Sequence, residues 1–314
     1  MSALLRSLHE YLALRRALGT RLLRPESQLR RFVEFADREG TDIVTTDLVL
    51  RWMGSQRLMS LASKAASVAD VRRFALWLSV GDPRTQVPPK DLLPYRYTRK
   101  PPYIYTDDEI VRIVEAASRL ASPSGLRALT YATLFGLLAA TGLRISEALS
   151  LERDDVDLVG DVLAVRRAKF GASRFVPLQE TASAALQLYA RERDRLRPHP
   201  ATPAFFVAEC GRRVTDCSAR YTFVVVSRAI GLREATAGCR HGHGPRLHDM
   251  RHRLAVRTLV RWYREGKDVE RELPKLANYL GHRHVADTYW YLEAVPELLD
   301  LATERAARSH EAPQ

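Results

Sequence analysis

The chain has 314 residues, 46% hydrophobic and 27% charged, which is ordinary globular material and enough length for two domains that each bury a core. Lys and Arg number 49 against 37 Asp and Glu, a net charge of +12, which suits a polyanionic partner but also a merely solvated positive face. The longest uncharged apolar run, residues 128–143, is shorter than the roughly 20 residues that span a bilayer, no cationic-then-apolar leader opens the sequence, and the three cysteines do not suggest a disulfide framework, so a cytoplasmic protein without a membrane partner is expected.

The first ninety or so residues read as four helices. One covers residues 3–18; a second follows Pro25 with Leu29, Phe32, Val33 and Ala36 on one stripe. A third starts after Thr45-Thr46, and a fourth spans residues 60–80 and ends at Gly81-Asp82-Pro83. Lys64, Arg72 and Arg73 lie on the basic face of this fourth helix and are candidates to track a phosphate backbone, against the plainer reading of a solvated face. The stretch RTQVPPKDLLPYRYTRKPPY, residues 84–103, holds five prolines and five basic residues, which continue neither a helix nor a central strand. The boundaries expected are therefore a helical domain at 1–90, a proline-rich basic linker at 91–104 and a second domain at 105–314.

The second domain opens on a capping box, Thr106 to Glu109, ahead of an apolar helical run over residues 110–117. A helix over residues 125–139 is interrupted by Thr141-Gly142. Short β-like runs follow at 156–158, 162–165 and 175–178, separated by turns at Gly160-Asp161 and Gly171-Ala172, which predicts a small antiparallel sheet. From Thr181 onward the chain reads as helical again, and residues 217–230 are assigned to a helix despite the β-branched VVV because Thr215-Asp216 offers a cap and Gly231 a stop. The fold class expected is mainly α, with a helical amino-terminal domain and a mostly helical α+β second domain.

Three islands carry most of the chemistry: ATGLRISEALSL at 140–151, RLHDMRHRLA at 246–255 and LGHRHVADTYWYL at 280–292. Each motif alone is a weak signal. In this order they resemble the tyrosine recombinase, or phage integrase, family, whose catalytic domain carries a TGLRxSE box, an HxxRH box and an LGHxxxxxxxxY box. AKFGASRFVPL, residues 168–178, supplies Lys169 where the family has a hairpin lysine ahead of an RxVPL run. By motif the resemblance covers roughly residues 105–295; over residues 1–90 it is architectural, matching a helical core-binding domain.

The resemblance implies a site-specific recombinase that cuts and rejoins DNA through a 3'-phosphotyrosine and a four-way Holliday junction, with no cofactor, metal or ATP. The physical logic agrees, since a metal-free cut must stabilise negative charge building on phosphorus, and two guanidiniums offer fixed forks of donors to phosphate oxygens. Arg144 and Arg251 take that role, Glu147 braces Arg144, and His248 lies one helical turn before Arg251 on a shared face. Lys169 is placed as general acid for the departing 5'-oxygen, and His282 as a donor to a non-bridging oxygen. His252 is read as pointing off the face of His248 and Arg251, into packing, while Cys210, Cys217, Cys239, His241 and His243 lack the paired spacing of a zinc site.

The nucleophile is ambiguous from geometry alone. On a continuous helix Tyr289, seven residues after His282, shares its face, whereas Tyr291, nine after it, points the opposite way. Asp287-Thr288 however reads as a helix start with Asp287 as cap, and Gly281 as the stop of the helix before, so the angle does not decide. The family offset of nine selects Tyr291, which leaves Tyr289 and Trp290 as packing. Pro296 is read as starting a last amphipathic helix, of a kind that in this family often docks on a neighbouring protomer.

The partners expected from the resemblance are double-stranded DNA with an inverted-repeat site and a homo-tetramer on synapsed duplexes, with room for partner recombinases, located on the nucleoid when DNA-bound. The DTYWYLEAVPELL version of the last box favours a mobile element over chromosome-dimer resolution. Two other readings stay open at this level: a monomeric type IB topoisomerase, and a DNA-binding regulator with the fold but not the activity.

Overall fold

The computed structural model describes residues 2–20, 22–93, 95, 101–166, 173–199, 201–234, 244–282, 284–294 and 298. The chain divides into two compact units, Met1–Arg99 and Lys100–Gln314.

The first unit holds α1 (Ala3–Ala17), α2 (Leu23–Arg38), α3 (Thr46–Ser55) and α4 (Leu61–Leu78). Ser2, Thr45 and Ser60 cap α1, α3 and α4, each hydroxyl accepting a backbone N–H three residues on and so satisfying a donor that the helix start leaves without a partner. Helix α2 begins two residues before Pro25 rather than after it. A first-turn proline is tolerated there because its missing N–H belongs to the set that has no intrahelical acceptor. The apolar stripes meet in one core built on Leu8, Phe32, Trp52, Val71 and Phe74, with the Phe32 and Trp52 rings edge to face at 5.2 Å. On α4, Lys64 is half-buried, Arg72 donates to the Pro88 carbonyl at 2.8 Å, and the exposed Arg73 pairs with the buried Asp70.

The second unit is mostly helical with one small sheet. Thr106 and Glu109 form the reciprocal capping box of α5 (Asp107–Ser118). Then come α6 (Leu126–Thr141), α7 (Ile145–Ser150), strands β1 (Val156–Asp157), β2 (Val162–Val165) and β3 (Arg174–Pro177), and helices α8 (Glu180–Leu196), α9 (Asp216–Ala229), α10 (Leu247–Arg264), α11 (Val269–Leu280) and α12 (Ala286–Ala294). The strands form an antiparallel sheet in the order β1-β2-β3, with Leu163 opposite both Val156 and Val176. The turn expected at Gly171-Ala172 lies outside the described residues, as does most of the helix expected from Pro296.

Helix α6 has one charged residue and is apolar nearly all round, as a central helix must be. It packs against α5, α8 and α10, burying Tyr131, Leu134, Phe135 and Leu138. No helix among the described residues is long and apolar enough to cross a membrane. Thr215 caps α9 and Gly231 follows its end at φ 77°, so the VVV segment is helical. The described residues between α8 and α9 form no helix; isolated bridges join Glu152 to Ala204 and Val207 to Arg213.

Candidate active site

Four segments of the second unit converge on one place: the loop between α6 and α7, the start of α10, the end of α11 and the middle of α12. Gly142 ends α6 in the left-handed conformation at φ 62°, which lets the chain turn at once into Arg144, the N-cap of α7. A Cβ on Gly142 would stand 2.7 Å from Leu254 of α10, so the glycine also permits close approach of the two elements. Its carbonyl accepts from Arg251 Nη1 at 2.9 Å, and Arg251 Nη2 donates to the Leu280 carbonyl at the end of α11. Arg144 donates from Nη2 to the Gly281 carbonyl at 3.0 Å and from Nη1 to Glu147 at 2.8 Å.

Glu147 is buried and its carboxylate is fully occupied. Besides Arg144 Nη1 it accepts the Arg144 backbone N–H at 2.9 Å and both terminal nitrogens of Arg174, at 3.1 and 3.0 Å. Burial raises its pKa, but the hydrogen bonds from Arg174 and the Arg144 backbone and the two positive charges outweigh this and hold it at about 2. It is therefore an ionised brace, unsuited to act as a base at neutral pH.

Arg251 is 2% exposed, and its bonds go to carbonyls; among the described residues it makes no ion pair. Burial, then the nearby Arg144 charge, pushes its pKa down to about 10, so it stays protonated at neutral pH. A buried guanidinium held by carbonyls alone beside a second cation leaves positive charge that an anion would balance. Two imidazoles border it. Burial, followed by the Arg251 charge, lowers His248 and His282 to about 4, so both stand neutral at pH 7 and each has one N–H to donate.

Helix α12 starts at Ala286, through Asp287 and Thr288 N–H bonds to the His284 and Val285 carbonyls, so Asp287 lies in its first turn and is not its cap. His282 Nδ1 lies 2.8 Å from the Thr288 hydroxyl, one turn before Tyr291. Tyr291 is 2% exposed and its ring lies nearly parallel to His282, with centroids 6.2 Å apart. Tyr289 is 44% exposed, which corrects its assignment to packing: on the helix it is about 200° from Tyr291 and faces solvent. The Trp290 side chain lies outside the described residues, as do Lys169, Cys239, His241 and His243. Cys210 and Cys217 are exposed, and no metal-binding group of three or more His, Cys, Asp or Glu occurs among the described residues.

The sequence reading misplaced His252. Its ring is buried between His248, with centroids 4.6 Å apart, and Tyr291, at 5.4 Å. Four residues along a helix is a rotation of only about 40°, so His252 shares the His248 face after all. Arg174 and Thr288 were also missed. The signal for Arg174 was strand alternation, which puts it on the buried Val176 face of β3; for Thr288 there was none.

The phage integrase family model matches residues 104–297. The chain is 42% identical over 315 residues to the "Putative integrase/recombinase y4rB" of Sinorhizobium fredii (strain NBRC 101917 / NGR234), covering 99% of each chain. It is 29% identical over 304 residues to the tyrosine recombinase XerC of Mycobacterium sp. (strain JLS), covering 93% of this chain and 94% of that one. In fold it is similar to the Tn1549 transposon integrase solved in complex with transposon right end DNA, with a TM-score of 0.66 at 15% identity over 98% of this chain and 99% of that one. The protein belongs to the phage integrase family of tyrosine recombinases, enzymes of site-specific recombination that bind DNA and cut and rejoin its strands.

Proposed function

We propose that Tyr291 cuts one DNA strand by attacking a phosphodiester gripped by Arg144, His248, Arg251 and His282, and that the chain exchanges strands between two duplexes through a Holliday junction. The observation that carries this is the buried, protonated Arg251, which has no carboxylate partner among the described residues and is set beside Arg144 and two neutral imidazoles, one of which, His282, lies nearly parallel to the Tyr291 ring. In the step proposed, the Tyr291 oxygen bonds to phosphorus, the phosphorus–O5' bond breaks, and the tyrosine is left on a 3'-phosphate. The tyrosine proton passes to solvent or a neighbouring base, and Lys169 protonates the departing 5'-oxygen. Attack by a 5'-hydroxyl from the partner duplex reverses the step and reseals the strand, so the bond energy is conserved and neither ATP nor metal is consumed.

Two duplexes present four strands and each protomer carries one Tyr291, so complete exchange calls for a tetramer. The transposon right end DNA bound by the Tn1549 integrase supports DNA as partner, and a transposon as the setting. The domain at 1–90 is the second DNA-contacting body in this reading. Arg72 and Arg73 have partners inside their own unit, which makes Lys64 the best placed of the three for phosphate.

The test uses nicked suicide duplexes tiled across the DNA that flanks the coding sequence. A covalent protein–DNA adduct is expected from the unmodified chain and from Tyr289→Phe, and none from Tyr291→Phe. An adduct that survives in Tyr291→Phe and vanishes in Tyr289→Phe overturns the assignment; relaxation of plain supercoiled DNA without a specific site points to a topoisomerase instead.

A further inference from the structure

The Arg174 side chain is 10% exposed and makes three directed contacts. Its two terminal nitrogens form a fork on the Glu147 carboxylate at 3.1 and 3.0 Å, and Nε donates to the Tyr279 carbonyl at 2.8 Å. Tyr279 directly precedes Leu280 and Gly281, whose carbonyls hold Arg251 and Arg144. Gly281 has φ 65°, and a Cβ there would stand 2.8 Å from Arg174 Nη1, so the glycine of the LGH box leaves room for this guanidinium.

Charge gives these contacts a consequence. Without Arg174, the ionised Glu147 would face Arg144 alone, and that pair would be neutral. With it, one carboxylate lies between two guanidiniums, and a net positive charge remains on the Arg144 side of the site.

We propose that Arg174 is a positioning residue for strand cleavage: by holding Glu147 with its fork it keeps the charge and orientation of Arg144 available to the phosphate, and it ties β3 to the end of α11. The inference rests on the reading that Arg144 meets the phosphate. A lysine cannot reproduce the role, since one ammonium cannot serve both carboxylate oxygens and the Tyr279 carbonyl in a fixed plane.

The experiment measures single-turnover adduct formation on the tiled nicked duplexes for the full chain and for Arg174→Gln, Arg174→Lys, Glu147→Gln and the Arg174→Gln/Glu147→Gln pair, with thermal melts alongside. Arg174→Gln is expected to slow cleavage roughly hundredfold, the scale of a mispositioned reacting group. Adding Glu147→Gln removes the stray negative charge, so the double variant is expected to react about tenfold faster than Arg174→Gln alone. A double variant no faster than the single one marks a residue that only braces the fold, and overturns the proposal. So does an Arg174→Gln rate within about threefold of the unmodified chain. Should Arg174→Gln lose its cooperative melt, Arg174→Lys decides: it is expected to melt normally and react about tenfold more slowly, and an unchanged rate overturns the proposal. Adducts that persist in Tyr291→Phe, or fail to form with the unmodified chain, refute the underlying reading and this inference with it. Adducts that depend on Tyr291 but not on Arg174 refute this inference alone.

Discussion

His248 and His282 hold lower proton affinity in the folded chain, about 4, than the ordinary 6.5, because burial and then the charge of Arg251 disfavour the imidazolium. The unfolded chain therefore binds more protons between those values, and stability falls as pH drops from about 6.5 toward 4. Above 6.5 both groups are neutral in either state and contribute no slope. Glu147 acts in a lower window: its pKa of about 2 against 4.5 contributes stability that is present above 4.5 and lost as pH falls toward 2. The thermal midpoint is expected to fall between pH 7 and pH 5, and to fall less in His248→Gln, as thermal melts at the two pH values would show. An equal fall in the variant would mean that other groups carry the linkage.

At the scale of elements, two glycines fix the geometry of the two boxes that contain them. Gly142→Ala places a side chain in the left-handed region, which costs about 1–2 kcal/mol, and drives its Cβ toward Leu254. Because the Gly142 carbonyl holds Arg251, cleavage is expected to fall by more than the stability loss explains, and parallel melts and adduct rates separate the two. By contrast Thr106→Ala, which removes one half of the α5 capping box, is expected to cost about 1 kcal/mol and to leave cleavage per folded molecule unchanged.

These same elements show what the sequence reveals. Caps and stops are local: Thr45, Ser60, Thr106 and Thr215 each satisfy a backbone N–H three residues away, so the helices they open could be read from short windows. The candidate site residues Arg144, His248, Arg251 and His282 were singled out through three motifs, and Tyr291 through the family offset where geometry left Tyr289 open; the structure brings these five together. Arg174 was not singled out because its partners, Glu147 and Tyr279, are 27 and 105 residues away. His252 was misread although its helical rotation was available. The start of α12 was placed two residues late because Asp287 looks like a cap, while the backbone already turns through His284 and Val285.

At the scale of the whole molecule, two compact units share a charge of +12, and the comparison with the 42% identical integrase/recombinase runs over 99% of both chains, not over the second unit alone. Cleavage and DNA binding in such a chain are expected to weaken steeply as salt rises, since each phosphate contact made by Lys or Arg releases counterions. In the reading proposed, Lys64→Ala is expected to lower DNA affinity and reduce the salt slope by about 1, while adduct formation at saturating protein is retained. An unchanged slope would remove Lys64 from the DNA interface.

In the function proposed, Tyr291 becomes covalently joined to DNA. It is tested most directly by trapping the adduct on a nicked duplex, digesting protein and DNA, and locating the modified peptide by mass spectrometry. The expected result is a nucleotide 3'-phosphate on Tyr291 within the 280–292 segment. A phosphate on Tyr289, on another residue, or on the 5' end of the broken strand would contradict it.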